Sequence, residues 1–564
     1  MAASDSTSSL TTSSSKPAIS NTWYDTLTKP WTSWKSTISG LYVASYQLHP
    51  PTLHSTHPPS THTAAPAIAT SVEDEDKQLC AHHGLQCDCG SNSISHINTI
   101  YYQPTAFNQS LVDACPSLQS FCPPPLLAQA HTQTIVASLY RRSPGNTVAS
   151  DNLLSNLTSW MPSFPTSLSS LVYNYRNSAA GVGDDTDDDA TIKSQPTPTA
   201  DKHSVQYVRE LVKLSDNGQI ALDWHQPNGT TQLKQHNKPM VLLMHGLTGG
   251  SHEAYAQWLV KYISSKTDCQ VAVMNARGCG SSELTTPKPF TASNTNDLHE
   301  IISKIRREYL GADVPLIAVG ISLSAGVLMK YTHEESLKHR QQQSTPPQSH
   351  NKTVGGLNAA IHLSASYDHV HNSWHMENQP FLRHVYNKTL GANLVKYATQ
   401  HRAAFEDPKV ADELKAKGFS FDKLISSKII GEFDQNGVVP LFGYKDVQEY
   451  YRDACTNHRM KDLELPTLAI SAEDDPICRS SCVPKDAPSQ NSNVILAMTQ
   501  HGGHVAWMGR STAAQQDAEL RDAGLNSCGY EHLPIGVHSW VERPVTEYIN
   551  AILKQHKQQQ HNQK

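Results

Sequence analysis

No run of roughly 18 apolar residues, the length that a membrane-crossing helix needs, occurs in this chain of 564 residues, so no transmembrane helix is expected. Excess positive charge is missing too. The 45 basic residues face 51 acidic ones, for a net charge of -6, which leaves neither a field that would hold nucleic acid nor an acidic block for a cation-rich partner. Nothing at the amino terminus has the basic-then-apolar form of a secretory signal, and the 11 cysteines are odd in number and scattered. These absences argue against a disulfide-stapled secreted domain and predict a cytoplasmic protein in a reducing compartment.

What is present is uneven along the chain. Residues 1–75 are dominated by Ser, Thr, Pro, Ala and His, which bury too little apolar surface to offset ordering entropy. Within them Trp23, Tyr24, Trp31, Trp34, Leu41 and Tyr42, with Lys29 and Lys35, form an aromatic island. Such a segment suits a membrane or lipid-droplet interface, giving peripheral association, or docks on the protein's own surface. Residues 76–142 read as an extension packed on a folded body. They hold Cys80, His82, His83, Cys87 and Cys89, whose spacing matches no common zinc module, so a surface cluster of reduced cysteines is the simpler reading and no metal is expected. Residues 143–203, with their acidic run Asp184 to Asp189, mark a loose insertion.

From residue 204 the pattern becomes regular. Tyr207 to Leu214 and Ile220 to Trp224 flank Asp216-Asn217-Gly218 as a hairpin. Strands are then predicted at Met240–Met244, Gln270–Met274, Pro315–Ile321 and Gly356–Ser364, and helices at Glu253–Ile263, Asp297–Tyr309 and Leu323–Tyr331. Alternation of this kind predicts an α/β fold, with a mostly parallel sheet covered by helices on both faces and its active site at the carboxyl ends of the strands. The body spans 204–366 and 465–555. Between its halves, residues 367–464 are rich in aromatic, His and Met residues and predict a helical cap. Strands at Thr467–Ser471 and Val494–Met498 and a helix at Val537–Leu553 complete the body, with a polar tail at 556–564.

Chemistry gathers where these strands end. The apolar run Pro315 to Ile321 stops at Ser322, which follows Gly320, and a sharp strand-to-helix turn there holds a hydroxyl clear of both elements. Ser324 stands where a second glycine is usual, so a register shifted to Ser324 and a small-residue turn without chemistry remain alternatives. Asp474 and Asp475 follow the strand Thr467–Ser471, and His501 and His504 follow Val494–Met498. A neutral serine needs an imidazole to take its proton and a carboxylate to fix the imidazole tautomer. Asp475 and His504 are preferred over Asp474 and His501 because each lies farther past its strand. The order Ser, Asp, His differs from that of the two major serine-protease folds. His245 to Gly250 directly follows the strand Met240–Met244. There the N–H of Leu247, with that of Leu323, can receive an oxyanion. A phosphate-cradling lysine is absent from this turn, so no nucleotide or other cofactor is expected.

The chain from about 95 to 555 resembles the α/β-hydrolase branch that contains the fungal medium-chain fatty-acid ethyl ester synthase/esterases and the mammalian abhydrolase-domain lipid hydrolases. The resemblance rests on His131-Thr-Gln133-Thr134, His245 to Gly250, Asn275-Ala-Arg277-Gly278, Gly320-Ile-Ser322, Phe442-Gly443-Tyr444 with Tyr450-Tyr451, Asp474-Asp475-Pro476 and His501-Gly-Gly-His504. It implies the triad Ser322, Asp475 and His504, and a serine esterase or lipase acting on lipid esters, monoacylglycerols or medium-chain fatty-acid esters, through an acyl-enzyme, with transfer to alcohols as a second outcome. Ser324-Ala325 departs from the glycine pair usual in relatives, which predicts a narrowed turn and lower activity. A catalytically silent lipid-binding or scaffold protein with the same fold is the alternative.

Overall fold

The computed structural model describes residues 97–123, 130–140, 205–227, 235–342, 353–510 and 537–562. All of them lie in one compact unit, Thr70–Lys564. The aromatic island, the Cys80 to Cys89 cluster, the insertion 143–203 and most of the His339 to Lys352 loop fall outside the described residues.

Among the described residues nine strands form one sheet: β1 (Thr99–Tyr101), β2 (Tyr207–Lys213), β3 (Gln219–His225), β4 (Met240–Met244), β5 (Gln270–Asn275), β6 (Leu316–Ile321), β7 (Ala359–Leu363), β8 (Thr467–Ala472) and β9 (Val494–Thr499). Their order is β1-β9-β8-β7-β6-β4-β5-β3-β2. Every pairing from β5 through β4, β6, β7 and β8 to β9 is parallel. The β2–β3 hairpin joins antiparallel at one edge and β1 at the other.

The reason for this layering is visible in β4. Met240, Leu242 and Met244 point to one apolar cluster and Val241 and Leu243 to another, so both faces must be covered. Helix α1 (Ala106–Asp113), α3 (Ala254–Lys266) and α6 (Glu542–Asn562) contribute Leu111, Leu259 and Ile549 to the second cluster. Helix α4 (Asn296–Glu308) and α5 (Leu323–Gln342) contribute Ile301 and Leu328 to the first. Full burial of one such side chain is worth roughly 1.5–3 kcal/mol. Helix α2 (Ala130–Tyr140) lies near the carboxyl edge of the sheet, where it meets the loop that follows β9.

Two helices outrun their predicted ends. α5 continues from Tyr331 to Gln342, and α6 continues through the expected polar tail to Asn562. Gln and Lys are good helix formers, so lost apolar periodicity signals a solvated face there rather than a stop. Val537–Ser539, expected as the start of that helix, is instead a strand paired with Met508–Arg510.

Between β7 and β8 the chain forms short helices from His369 to Ala454, including two π-helical turns at Arg383–Asn387 and Asp434–Val438. They are tied to the body by named bonds. The Tyr397 hydroxyl donates to the Arg277 carbonyl at 2.8 Å, His401 Nε2 lies 2.7 Å from the Gly278 carbonyl, and the Ala292 N–H donates to the Tyr450 hydroxyl at 2.9 Å. Arg277 is itself buried and clamped between Asp297 and Asp216. Among the described residues no helix is long and apolar enough to cross a membrane.

Candidate active site

The turn after β6 requires its residues. Ser322 has φ 55°, the left-handed region that costs an L-residue energy and aims its side chain away from strand and helix alike. The turn is so tight that a Cβ on Gly320 would lie 2.7 Å from both the Ala325 Cα and the Ser324 carbonyl oxygen. Only glycine fits. The Ser322 N–H donates to the Leu363 carbonyl of β7 at 2.8 Å, which anchors the strained residue to the sheet.

Ser324, in the second glycine position, does not simply crowd the turn. Its hydroxyl donates to the His245 carbonyl, so the departure from glycine ties the start of α5 to the turn after β4. That turn is organised by His245. The Ala276 N–H donates to His245 Nε2 at 3.0 Å, which leaves Nδ1 protonated to donate to the Gly246 carbonyl at 2.7 Å. Complete burial pushes the His245 imidazole down to about 4, so it is neutral and structural. The Tyr255 hydroxyl accepts the Gly246 N–H at 2.9 Å. Among the described residues the Leu247 N–H meets no acceptor, and Leu323, as the first residue of α5, has no intrahelical acceptor for its own.

Asp475 and His504 come from the loops after β8 and β9. Asp475 Oδ1 accepts the N–H groups of Ile477 and Cys478, each at 2.8 Å, and this fixes its carboxylate plane. Its Oδ2 lies 2.8 Å from His504 Nδ1. His504 Nε2 lies 2.9 Å from Ser322 Oγ. Hydroxyl, imidazole and carboxylate therefore run in one line, an arrangement able to take the hydroxyl proton and hold the resulting imidazolium.

The alternatives fall elsewhere. Ser324 is occupied with His245. His501 Nδ1 and Asp474 Oδ2 lie 3.5 Å apart, and Asp474 Oδ1 accepts the Gly503 N–H at 2.9 Å. The Asp474 side chain thus holds the histidine loop from below.

Sequence reasoning missed the groups that hold this loop. Thr134 Oγ1 accepts the His504 N–H at 2.9 Å and Gln133 Oε1 accepts the Met508 N–H at 3.0 Å, across about 370 residues of chain. These are two members of the His131-Thr-Gln-Thr motif, and that motif was the available signal. Two of the next three residues are strained, with Val505 at φ 57° and Trp507 at φ 35°. Trp507 is fully buried and its indole N–H donates to Thr499 Oγ1 at 3.0 Å, which holds the strained backbone in place. A separate cleft of about 410 Å³ between β2 and α4, lined by Lys213, Glu300, Lys304 and Arg307, contains none of these groups.

The helical segment reaches the turns on two sides. Leu247 and Phe290 pack into a cluster with Leu394, Phe405, Phe433 and Leu441. Leu323 packs with Val438, Phe442 and Tyr450. Among the described residues Asp475, Cys478 and His504 also form a group whose donor atoms lie within 4.8 Å of one another.

A family model described as alpha/beta hydrolase fold matches residues 239–509. Phospholipase ABHD3 of Mus musculus is 30% identical over 308 residues, 54% of this chain and 68% of that protein. The monoacylglycerol lipase of Saccharomyces cerevisiae is 30% identical over 271 residues, 48% of this chain and 55% of that one. Medium-chain fatty acid ethyl ester synthase/esterase 2 of the same yeast is 26% identical over 362 residues, 54% of this chain and 76% of that one.

Proposed function

The chain belongs to the α/β-hydrolase family, and on that premise we propose that it is a serine hydrolase of lipid carboxylic esters. One observation carries the reading: Ser322 Oγ is 2.9 Å from His504 Nε2 while His504 Nδ1 is 2.8 Å from the buried Asp475 carboxylate. Ser322 Oγ attacks the ester carbonyl as His504 takes its proton, and Asp475 keeps the imidazole in the required tautomer. The Leu247 and Leu323 N–H groups receive the negative charge on the former carbonyl oxygen. His504 then returns the proton to the leaving alcohol, and an acyl group remains on Ser322. Water, deprotonated by the same imidazole, releases the acid. An alcohol in place of water gives an ester instead, which is the acyl-transfer branch.

The segment 367–464 is read as a cap that supplies the acyl site. The side chains of Leu247 and Leu323 pack among Phe433, Leu441, Phe442 and Tyr450, so an acyl chain beside the reacting carbonyl meets apolar rings. Each buried methylene contributes roughly 0.8 kcal/mol. The substrate class is therefore an uncharged acyl ester such as a monoacylglycerol or a medium-chain fatty-acid ethyl ester, and the names of the similar proteins, a phospholipase, a lipase and an ester synthase/esterase, support lipid esters in general.

The test is labelling with a serine-directed fluorophosphonate, run beside turnover of p-nitrophenyl esters from acetate to palmitate. Wild type and Ser324→Ala should label, and Ser322→Ala should neither label nor turn over ester. Efficiency should climb with chain length until the acyl site is full. Label retained in Ser322→Ala and lost in Ser324→Ala would overturn the assignment of the nucleophile. A wild-type protein that neither labels nor turns over any ester would leave the lipid-binding reading.

A further inference from the structure

Cys478 has no part in the chemistry just described. Its backbone N–H orients Asp475, while its side chain is a free thiol, 5% exposed, close beside the triad. One donor atom from each of Asp475, Cys478 and His504 falls within 4.8 Å of the others. That set is one carboxylate oxygen, one imidazole nitrogen and one sulfur, which are the ligand types a tetrahedral zinc ion takes at about 2.0–2.3 Å.

We propose that Asp475, Cys478 and His504 form a binding site for a borderline-soft divalent cation such as Zn2+, and that its occupancy shuts the triad off. The donor set selects the metal class. Thiolate and imidazole suit zinc, whereas magnesium and calcium favour sites built from oxygen alone. Charge favours it as well. A carboxylate and a thiolate together balance a doubly charged ion, so the occupied site is neutral, as a buried site must be. The geometric demand is small. Ligands of a tetrahedral ion sit about 3.3–3.7 Å apart at these bond lengths, so the Asp475–His504 contact of 2.8 Å opens slightly while the sulfur closes in.

The proton balance explains the inhibition. The metal bonds to His504 Nδ1, to Asp475 Oδ2 and to Cys478 Sγ, with water completing the tetrahedron. The thiol proton leaves to solvent, and the proton on Nδ1 moves to Nε2, so the imidazole stays neutral. Nε2 then carries a hydrogen and cannot accept the Ser322 proton. Loss of turnover follows from the proposed role of the triad, whereas metal binding does not depend on it.

The experiment uses the full chain freed of metal with EDTA. Ester turnover is titrated with ZnCl2, with MgCl2 as the control, in wild type, Cys478→Ala and Cys478→Ser, each referred to its own metal-free rate. In parallel, CoCl2 is added and the thiolate-to-cobalt charge-transfer band is recorded. The expected result is zinc inhibition of wild type, no effect of magnesium, and a zinc inhibition constant at least about tenfold higher in both variants, with a cobalt band in wild type that they lack. Equal zinc sensitivity in wild type and both variants, or a cobalt spectrum that the substitutions leave unchanged, would overturn the site. A Cys478-dependent band without inhibition would support the metal site and overturn the proposed shut-off, the triad itself being tested separately by the labelling of Ser322→Ala.

Discussion

Two aspartate and histidine pairs stand side by side at the carboxyl edge of the sheet, drawn from the same two loops and made of the same chemistry. Asp475 with His504 is in hydrogen-bond contact at 2.8 Å, and the Asp475 side chain is 1% exposed. Asp474 with His501 is separated by 3.5 Å, and its facing atoms, Asp474 Oδ2 and His501 Nδ1, are buried without a hydrogen-bond partner. The difference comes from the backbone. Two N–H groups saturate Asp475 Oδ1 and aim Oδ2 at an imidazole, while Asp474 spends its Oδ1 on the Gly503 N–H, one residue before His504. Donor geometry, not residue type, separates a carboxylate that orients an imidazole from one that props up a loop.

The comparison breaks first at Asp475. Asp475→Asn should lower turnover by about four orders of magnitude in a protein that still folds, because an amide facing Nδ1 favours the wrong tautomer. Turnover within tenfold of wild type would move the orienting role to another group.

A third buried carboxylate sharpens the contrast by lacking such donors. Asp434, in the second π-helical turn, accepts the Tyr451 hydroxyl at 2.9 Å, and burial pushes its carboxyl up from 3.8 to about 7. The folded state therefore holds this proton more tightly than the unfolded chain does. Its stabilising effect is complete below about pH 3.8 and is lost as pH rises through about 7. Asp434→Asn, which keeps the shape of the neutral acid, should raise stability on the order of a few kcal/mol at pH 8 and by progressively less towards pH 5. Thermal or denaturant melts of both proteins at the two pH values check this, and an equal gain at both would contradict it.

Asp474→Asn should cost about tenfold or less in kcat, since its role is to support the loop and an amide oxygen can still accept the Gly503 N–H at the usual cost of about 1 kcal/mol for a weakened bond. A loss as deep as that of Asp475→Asn would erase the distinction between the pairs. The smallest effect is expected at Ser324→Ala. It removes the tether to the His245 carbonyl, and turnover should fall about threefold, with labelling retained. A gain instead would mean that Ser324 crowds the turn, as the sequence pattern alone suggested.

That Ser322, Asp475 and His504 each stand just past a strand was legible because buried parallel strands are largely apolar runs. β4, β6, β8 and β9 are buried along their whole lengths, so their carboxyl ends, and the polar residues just beyond, stand out in the sequence. Gly320 was legible for a steric reason, since a strand that turns directly into a helix leaves no room for a Cβ. The ends of α5 and α6 were not, because a helix that leaves the core loses its apolar period before it loses its hydrogen bonds. The sequence preferred Asp475 to Asp474 and His504 to His501 only by distance past each strand, whereas the tertiary structure sets Asp475 and His504 in line with Ser322 and leaves the Asp474–His501 pair outside that line. Neighbours in sequence have equal composition and nearly equal position, and what separates them is the direction in which a few N–H groups point. It also brought Thr134 to the backbone of His504 and turned the Cys478 thiol towards the triad. Contacts across hundreds of residues, or between the two sides of one turn, leave no periodic trace in a chain, because they depend on how finished elements pack rather than on the local pattern that forms them.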